Sequence, residues 1–448
     1  MPHKTLVVGG GAAGIGAAGG VKAADPANEV VVYTEFEDVG YSPCGIPYVH
    51  GREIDSFDSL FLAEKEAYVQ AGIDIHYQTR VEAIDLQQKV LRVAGEGEVS
   101  WDRLVVATGF VYADPGVPGG GLDGLYYVKN IREAMEWDKV LDETRTAVVV
   151  NASPLGLEMT TALAHRGIET HLVHPGPWAL ADVVDPDIIA PVQDSWAELG
   201  VHMHFNTTLE SFAGDRAVSA VRTSSGTIPA DLAVICTHKE PNVTLATAAG
   251  LKTGSTGGLI VDERMATSAP GVFAAGDCAE LPHGLTGVGV AGLTGSHAYA
   301  QGKVAGFNAG GGTKRYQPVY VPWGTPAGKW VIGGASFGET LATALGLPYV
   351  LGKAEGISRA RYYPGTKKIL VKLLAEPDQL RLIGAQMVGQ EGIKERADFL
   401  ATAVKSGLTL NDLASMENVY SPAIGALNEP IVLAAQNGVE NATAARAG

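Results

Sequence analysis

One turn constrains this chain more than any other part of it. The apolar run Thr5-Leu6-Val7-Val8 leads directly into Gly9-Gly10-Gly11-Ala12-Ala13-Gly14, and an Ala- and Gly-rich stretch that reads as a helix follows. A strand apolar on both faces belongs in a buried parallel sheet. Glycines spaced Gly9-x-Gly11-x-x-Gly14 between such a strand and a helix have separate uses. Gly9 allows the tight turn, Gly11 lets a pyrophosphate approach the backbone, and Gly14 lets helix and strand pack closely. The start of the helix, with Ala13 in the same loop, then faces the phosphates. The next strand spans residues 29–34, and Glu35, 21 residues past Gly14, is placed to accept hydrogen bonds from an adenosine ribose, with Thr34 as a competing neighbour.

The pattern occurs twice. Ala147-Val148-Val149-Val150 begins a second strand-turn-helix unit, which runs through residues 155–167 and returns in a strand at 169–174. The strand ending at Ala107-Thr108-Gly109 in the first unit has its counterpart in Ala233-Val234-Ile235-Cys236-Thr237. Two such units predict an α/β fold of two Rossmann-like dinucleotide-binding domains, the second inserted in the first. The Pro- and Gly-rich stretch 115–121 reads as the crossover between them. From about Tyr316 the texture changes to alternating strands, at 367–374 and 381–388, and a helix with Ile393, Ala397, Leu400, Ala401 and Val404 on one face. The expected division is a first domain of 1–112 and 246–315, a second of 113–245, and a C-terminal α+β dimerisation domain of 316–448.

Lys and Arg number 33 against 49 Asp and Glu, a net charge of −16 that disfavours nucleic-acid and anionic-membrane partners. Three cysteines cannot build a secreted disulfide framework, and the apolar segment 6–21 is occupied by the glycine motif rather than by a signal sequence. A cytoplasmic protein is expected. No His, Cys or carboxylate spacing suggests a metal site.

A further strand, Gly271-Val272-Phe273-Ala274-Ala275-Gly276-Asp277, ends in Gly-Asp. With Ala107-Thr108-Gly109 and a helix at 296–304, it resembles the second FAD fingerprint of the pyridine nucleotide-disulfide oxidoreductase family, and the resemblance covers nearly the whole chain. It implies FAD as cofactor, with Asp277 at the ribityl-pyrophosphate region and Ala107, Thr108 and Gly109 beside it. Cys44 stands in Tyr41-Ser42-Pro43-Cys44-Gly45-Ile46-Pro47-Tyr48, without the Cys-x4-Cys pair of the family's glutathione and lipoamide reductases. The segment is similar to the single-cysteine branch, in particular its coenzyme A-disulfide and persulfide reductases. That likeness implies Cys44 as the redox-active thiol. It further implies a homodimer in which Tyr420, of Tyr420-Ser421-Pro422, and Tyr362, of Arg361-Tyr362-Tyr363-Pro364-Gly365, reach the partner's cysteine. Where oxidases and peroxidases of the branch have a histidine, this chain has Ala12, which points away from oxygen or peroxide as acceptor.

The second glycine motif departs from the pattern. It reads Asn151-Ala152-Ser153-Pro154-Leu155-Gly156, keeping only the last glycine. Pro154 fits the first helical position and Ser153 the N-cap, so the helix forms while amides are lost to a phosphate. His174 replaces the acidic ribose ligand, and His238 replaces a glycine. NAD(P)H binding is therefore expected to be weak, leaning to NADPH through His174. The first helix offers only Lys22 toward the phosphates of coenzyme A. The expected function is FAD-dependent reduction of a disulfide, persulfide or polysulfide through Cys44. The alternatives are a flavoprotein of the same fold that has lost its NAD(P)H site and exchanges electrons with a protein partner, and a non-catalytic flavin-binding redox sensor.

Overall fold

Strand Lys4–Val8 is buried from Thr5 to Val8 because it lies at the centre of its sheet. The computed structural model describes residues 2–447. They fall into two compact units, one of Met1–Ile46, Asp55–Ala113 and His238–Val319, the other of Pro47–Ile54, Asp114–Thr237 and Tyr320–Gly448.

The first unit is built on five parallel strands in the order Val272–Ala274, Arg103–Val106, Lys4–Val8, Glu29–Tyr33, Asp74–His76. Helix Ala12–Ala24 lies against helix Gly295–Ala309. Their backbones nearly touch. A Cβ on Gly302 would lie 2.1 Å from the Ala13 carbonyl oxygen, and one on Gly306 would lie 1.9 Å from that of Ala17. Only residues without a side chain permit this spacing. The two helices that open at the glycine motif and near the Gly-Asp motif are thereby locked in register.

The second unit repeats the design with its strands in the order Leu125–Tyr127, Leu232–Ile235, Thr146–Val150, Glu169–Val173, His202–His204. All four pairings are parallel. The same unit contains an antiparallel sheet ordered Pro322–Ala327, Trp330–Ser336, Leu382–Gly389, Lys368–Ala375, Val350–Ile357. Helix Ile393–Ser406 buries Ile393, Ala397, Leu400, Ala401 and Val404, the face expected from its spacing. Among the described residues no helix is long and apolar enough to cross a membrane.

Candidate active site

In the first unit Gly9 adopts φ +113°, and a Cβ there would lie 2.2 Å from the Ala107 carbonyl oxygen. A Cβ on Gly14 would lie 1.8 Å from the carbonyl oxygen of Gly9. Both glycines are thus required by the turn itself. Gly11 differs. A Cβ there would meet nothing within 4 Å, and as N-cap of helix Ala12–Ala24 it supplies no side-chain hydrogen bond. Open space beside uncapped amides is the cradle that a pyrophosphate needs. Gly276, at φ +83°, brings the second fingerprint against this loop, since its Cβ would lie 2.8 Å from the Ala13 Cβ. The donor set and the shape both fit a dinucleotide.

Around that cradle Thr34 is buried and Glu35 exposed. The hydroxyl of Thr34 accepts from the Phe36 amide at 3.3 Å, which leaves Glu35 as the outward-facing group at the strand end. Thr108 donates its hydroxyl proton to the Asn242 carbonyl at 2.5 Å, and the Asn242 amide donates to the Gly109 carbonyl at 2.9 Å, fixing the turn at Ala107-Thr108-Gly109. Asp277 forms an ion pair with Lys239 at 3.2 Å, and the same ammonium lies 4.6 Å from the centre of the Phe110 ring.

Cys44 lies in the short helical turn Pro43–Gly45, whose N-cap is Ser42, and is exposed. A Cβ on Gly45 would lie 2.2 Å from a methyl of Leu60, so the turn is pressed onto its neighbour while the thiol faces outward. Cys236 and Cys278 are fully buried, and burial pushes both thiols up in pKa. A thiol held in its protonated form is a poor nucleophile. Only Cys44 combines accessibility with a helical start.

In the second unit Asn151 takes the place of Gly9, with φ +79°. The rest of the turn is preserved, because a Cβ on Gly156 would lie 2.1 Å from the Asn151 carbonyl oxygen, as Gly14 does with Gly9. The expected cap is present: Ser153 accepts from the Gly156 amide at 3.3 Å, and Pro154 opens helix Pro154–His165. His174 does not project outward. It is buried, with Nδ1 at 2.7 Å from Asn151 Oδ1 and 3.3 Å from the Ala152 amide, and burial lowers its pKa. A neutral ring filling the loop is not a cation awaiting a 2′-phosphate. Lys22, likewise, donates to the carbonyls of Asn28 at 2.6 Å and Pro26 at 3.3 Å, within its own turn. In the tail, the hydroxyls of Tyr362 and Tyr420 are hydrogen-bonded at 3.0 Å and both side chains are exposed.

Residues 3–309 match the family model of pyridine nucleotide-disulphide oxidoreductases, and residues 331–429 match that family's dimerisation domain. The chain belongs to this family. It is an oxidoreductase. It is 33% identical to an NADH oxidase of Methanocaldococcus jannaschii over 98% of this chain and 99% of that one. It is 30% identical to an NAD(P)H coenzyme A polysulfide/persulfide reductase of Pyrococcus horikoshii, covering 97% and 98% of the two chains. The solved NAD-dependent persulfide reductase of A. fulgidus superimposes with a TM-score of 0.95 at 30% identity, over 98% of this chain and 84% of that one.

For this oxidoreductase, the sequence motifs name most of the loop residues but miss Lys239 and Asn242. Lys239 lies 38 positions before Asp277, and no local pattern links the two. The apolar-to-polar change at His238-Lys239-Glu240 marks where the chain leaves the second sheet, which is the one signal that could have drawn notice.

Proposed function

We propose that the protein is a homodimeric FAD-dependent oxidoreductase that reduces a disulfide, persulfide or polysulfide through Cys44. The observation that carries this reading is the contrast among the cysteines: Cys44 is exposed at a helical start, while the other two are buried with raised pKa. The Cys44 thiolate attacks one sulfur of the substrate disulfide, forming a mixed disulfide and releasing the other sulfur as a thiolate. In the homodimer the pair Tyr362–Tyr420 of one protomer serves the cysteine of the other, with Tyr420 giving its proton to the leaving thiolate. Its hydrogen bond to Tyr362 raises the pKa of Tyr420, so the hydroxyl remains protonated until it is needed. Gly9, Gly11, Gly14, Glu35 and Asp277 would hold FAD, which in its reduced form would supply the electron pair that, with two protons, returns the mixed disulfide to two thiols. The relatives named as reductases of polysulfide and persulfide support the substrate class.

Cys44→Ser is expected to abolish turnover of low-molecular-weight disulfides and polysulfide while the flavin stays bound, because a serine hydroxyl ionises far too weakly to replace a thiolate. Retained turnover with these substrates overturns the assignment.

A second reading has a specific observation behind it. One relative at 33% identity is named as an NADH oxidase, so oxygen is a competing acceptor. Ala12 supports the sulfur acceptor. Oxygen consumption that matches nicotinamide consumption, and is unaffected by added polysulfide, would favour the oxidase.

A further inference from the structure

Three histidines and a glutamate meet at the edge of the second parallel sheet. Strand Glu169–Val173 pairs with the edge strand His202–His204 so that His171 faces His202 and Val173 faces His204. Side chains alternate along each strand, so Glu169, His171, His202 and His204 project from one face. Glu169 Oε1 lies 3.4 Å from His171 Nε2 and 3.7 Å from His202 Nε2, and the three ligand atoms are all within 4.8 Å of one another.

We propose that Glu169, His171 and His202 bind a zinc ion, with His204 orienting the His171 ring. In a tetrahedral site with bonds of about 2.0–2.1 Å, neighbouring ligand atoms stand roughly 3.4 Å apart, which is the spacing that Glu169 makes with His171 and nearly that with His202. Two imidazole nitrogens and one carboxylate oxygen suit a borderline cation such as Zn2+ and do not suit Ca2+ or Mg2+, which take oxygen shells. The fourth position is left to water, since His202 and Glu169 are more than half exposed and the site opens to solvent.

The ligands are also supported from behind. His171 Nδ1 lies 3.0 Å from His204 Nε2, so that once an ion takes the Nε2 lone pair the Nδ1–H can donate to His204. The Thr146 hydroxyl donates to Glu169 Oε2 at 3.3 Å, leaving Oε1 toward the histidines. Such outer partners fix the tautomer and rotation of the groups that hold a metal. The His171 and His202 rings stack at 4.6 Å with an angle of 20°, and a turn of the exposed His202 ring brings its Nε2 lone pair onto the ion. Glu169 opens its strand, while Asn151 and His174 follow the other ends of these parallel strands. The ion therefore ties a three-residue edge strand to the sheet and takes no part at the nucleotide loop.

The test is a calorimetric titration of the full-length flavoprotein with Zn2+ alone, after removal of metals, in the Cys44→Ser background so that no exposed thiolate competes. One ion per chain is expected, with a Kd of about 10 μM or tighter and a rise in thermal midpoint. Co2+ in its place should give the visible absorption of a tetrahedral ion. His202→Asn and Glu169→Gln, both at exposed positions, should weaken binding by more than 10-fold. His204→Asn should weaken it by about 10-fold. His238→Asn, an exposed histidine elsewhere, should change nothing. Equal binding by His202→Asn and its parent would show an adventitious ion only, and no binding tighter than about 100 μM would equally overturn the site. Neither result bears on the role of Cys44.

Discussion

At Asn151 the backbone takes φ +79°, where its counterpart Gly9 takes +113°, and the chain turns back on itself in both places. Asparagine tolerates this left-handed region better than most side chains, which is how the turn survives without its glycine. The cost falls on the ligand. The Asn151 side chain reaches His174, Ser153 uses the Gly156 amide, and Pro154 has no amide to offer. Charge-assisted hydrogen bonds contribute about 1.5–3 kcal/mol each, and about 1.4 kcal/mol is tenfold in affinity. The triple substitution Asn151→Gly, Ser153→Gly, Pro154→Ala should therefore tighten NADH binding by at least about 10-fold, read by calorimetry. A parent protein that already binds NADH at low micromolar Kd, with no gain in the variant, would show that the altered loop costs the nucleotide nothing.

Strand Lys368–Ala375 shows what an element can conceal. Its run of buried apolar residues carries one inward charge, Lys372, which is 2% exposed. Its ammonium pairs with Asp185 at 2.7 Å, with Asp187 at 2.9 Å and with Glu339, all at the starts of two helices. Asp185 in turn accepts from the Glu339 and Thr340 amides at 3.2 and 2.9 Å, so one carboxylate caps a helix and neutralises a buried cation. Lys372→Met would leave Asp185, itself 1% exposed, buried without its cation. A loss of about 3–5 kcal/mol in unfolding free energy is expected. Lys394→Met, which breaks only a surface pair with Asp398, should leave the denaturant midpoint almost unchanged. Denaturant midpoints of the two variants, measured side by side, check the difference. The strand itself is legible in the sequence because its apolar run is local. The acids that satisfy Lys372 are not, since Asp187 is 185 residues away and only the folded sheet brings it there.

The same distinction holds for the whole molecule. Both dinucleotide units can be read from the chain because each signature closes on itself within a few residues, Gly9 with Gly14 and Asn151 with Gly156. The partners of Asp277, Thr108 and Glu169 depend on strand order and register, which no spacing in the sequence records. Charge state adds a last molecule-wide consequence. His50, His174, His283 and His297 sit in both units, and burial holds each below the ordinary histidine pKa. In the unfolded chain these rings take up protons near pH 6.5, while in the folded chain they resist until lower pH. The unfolded state therefore binds more protons over that interval, and stability must fall as the pH falls. His76 acts in the opposite sense: although burial pulls it down, hydrogen bonds to Glu96 and Asp74 leave its pKa raised. With His171 and His204, which burial also lowers, six depressed groups stand against one raised group and set the sign. Unfolding free energy should be highest above about pH 7 and should decline between pH 7 and 5, before the carboxylates lowered by their ion pairs, such as Asp138, begin to titrate. Denaturant midpoints at pH 7.5 and 5.5, with a metal chelator present throughout, are the measurement. A midpoint that stays level or rises on acidification would mean that these histidines gain protons as readily in the folded chain as in the unfolded one.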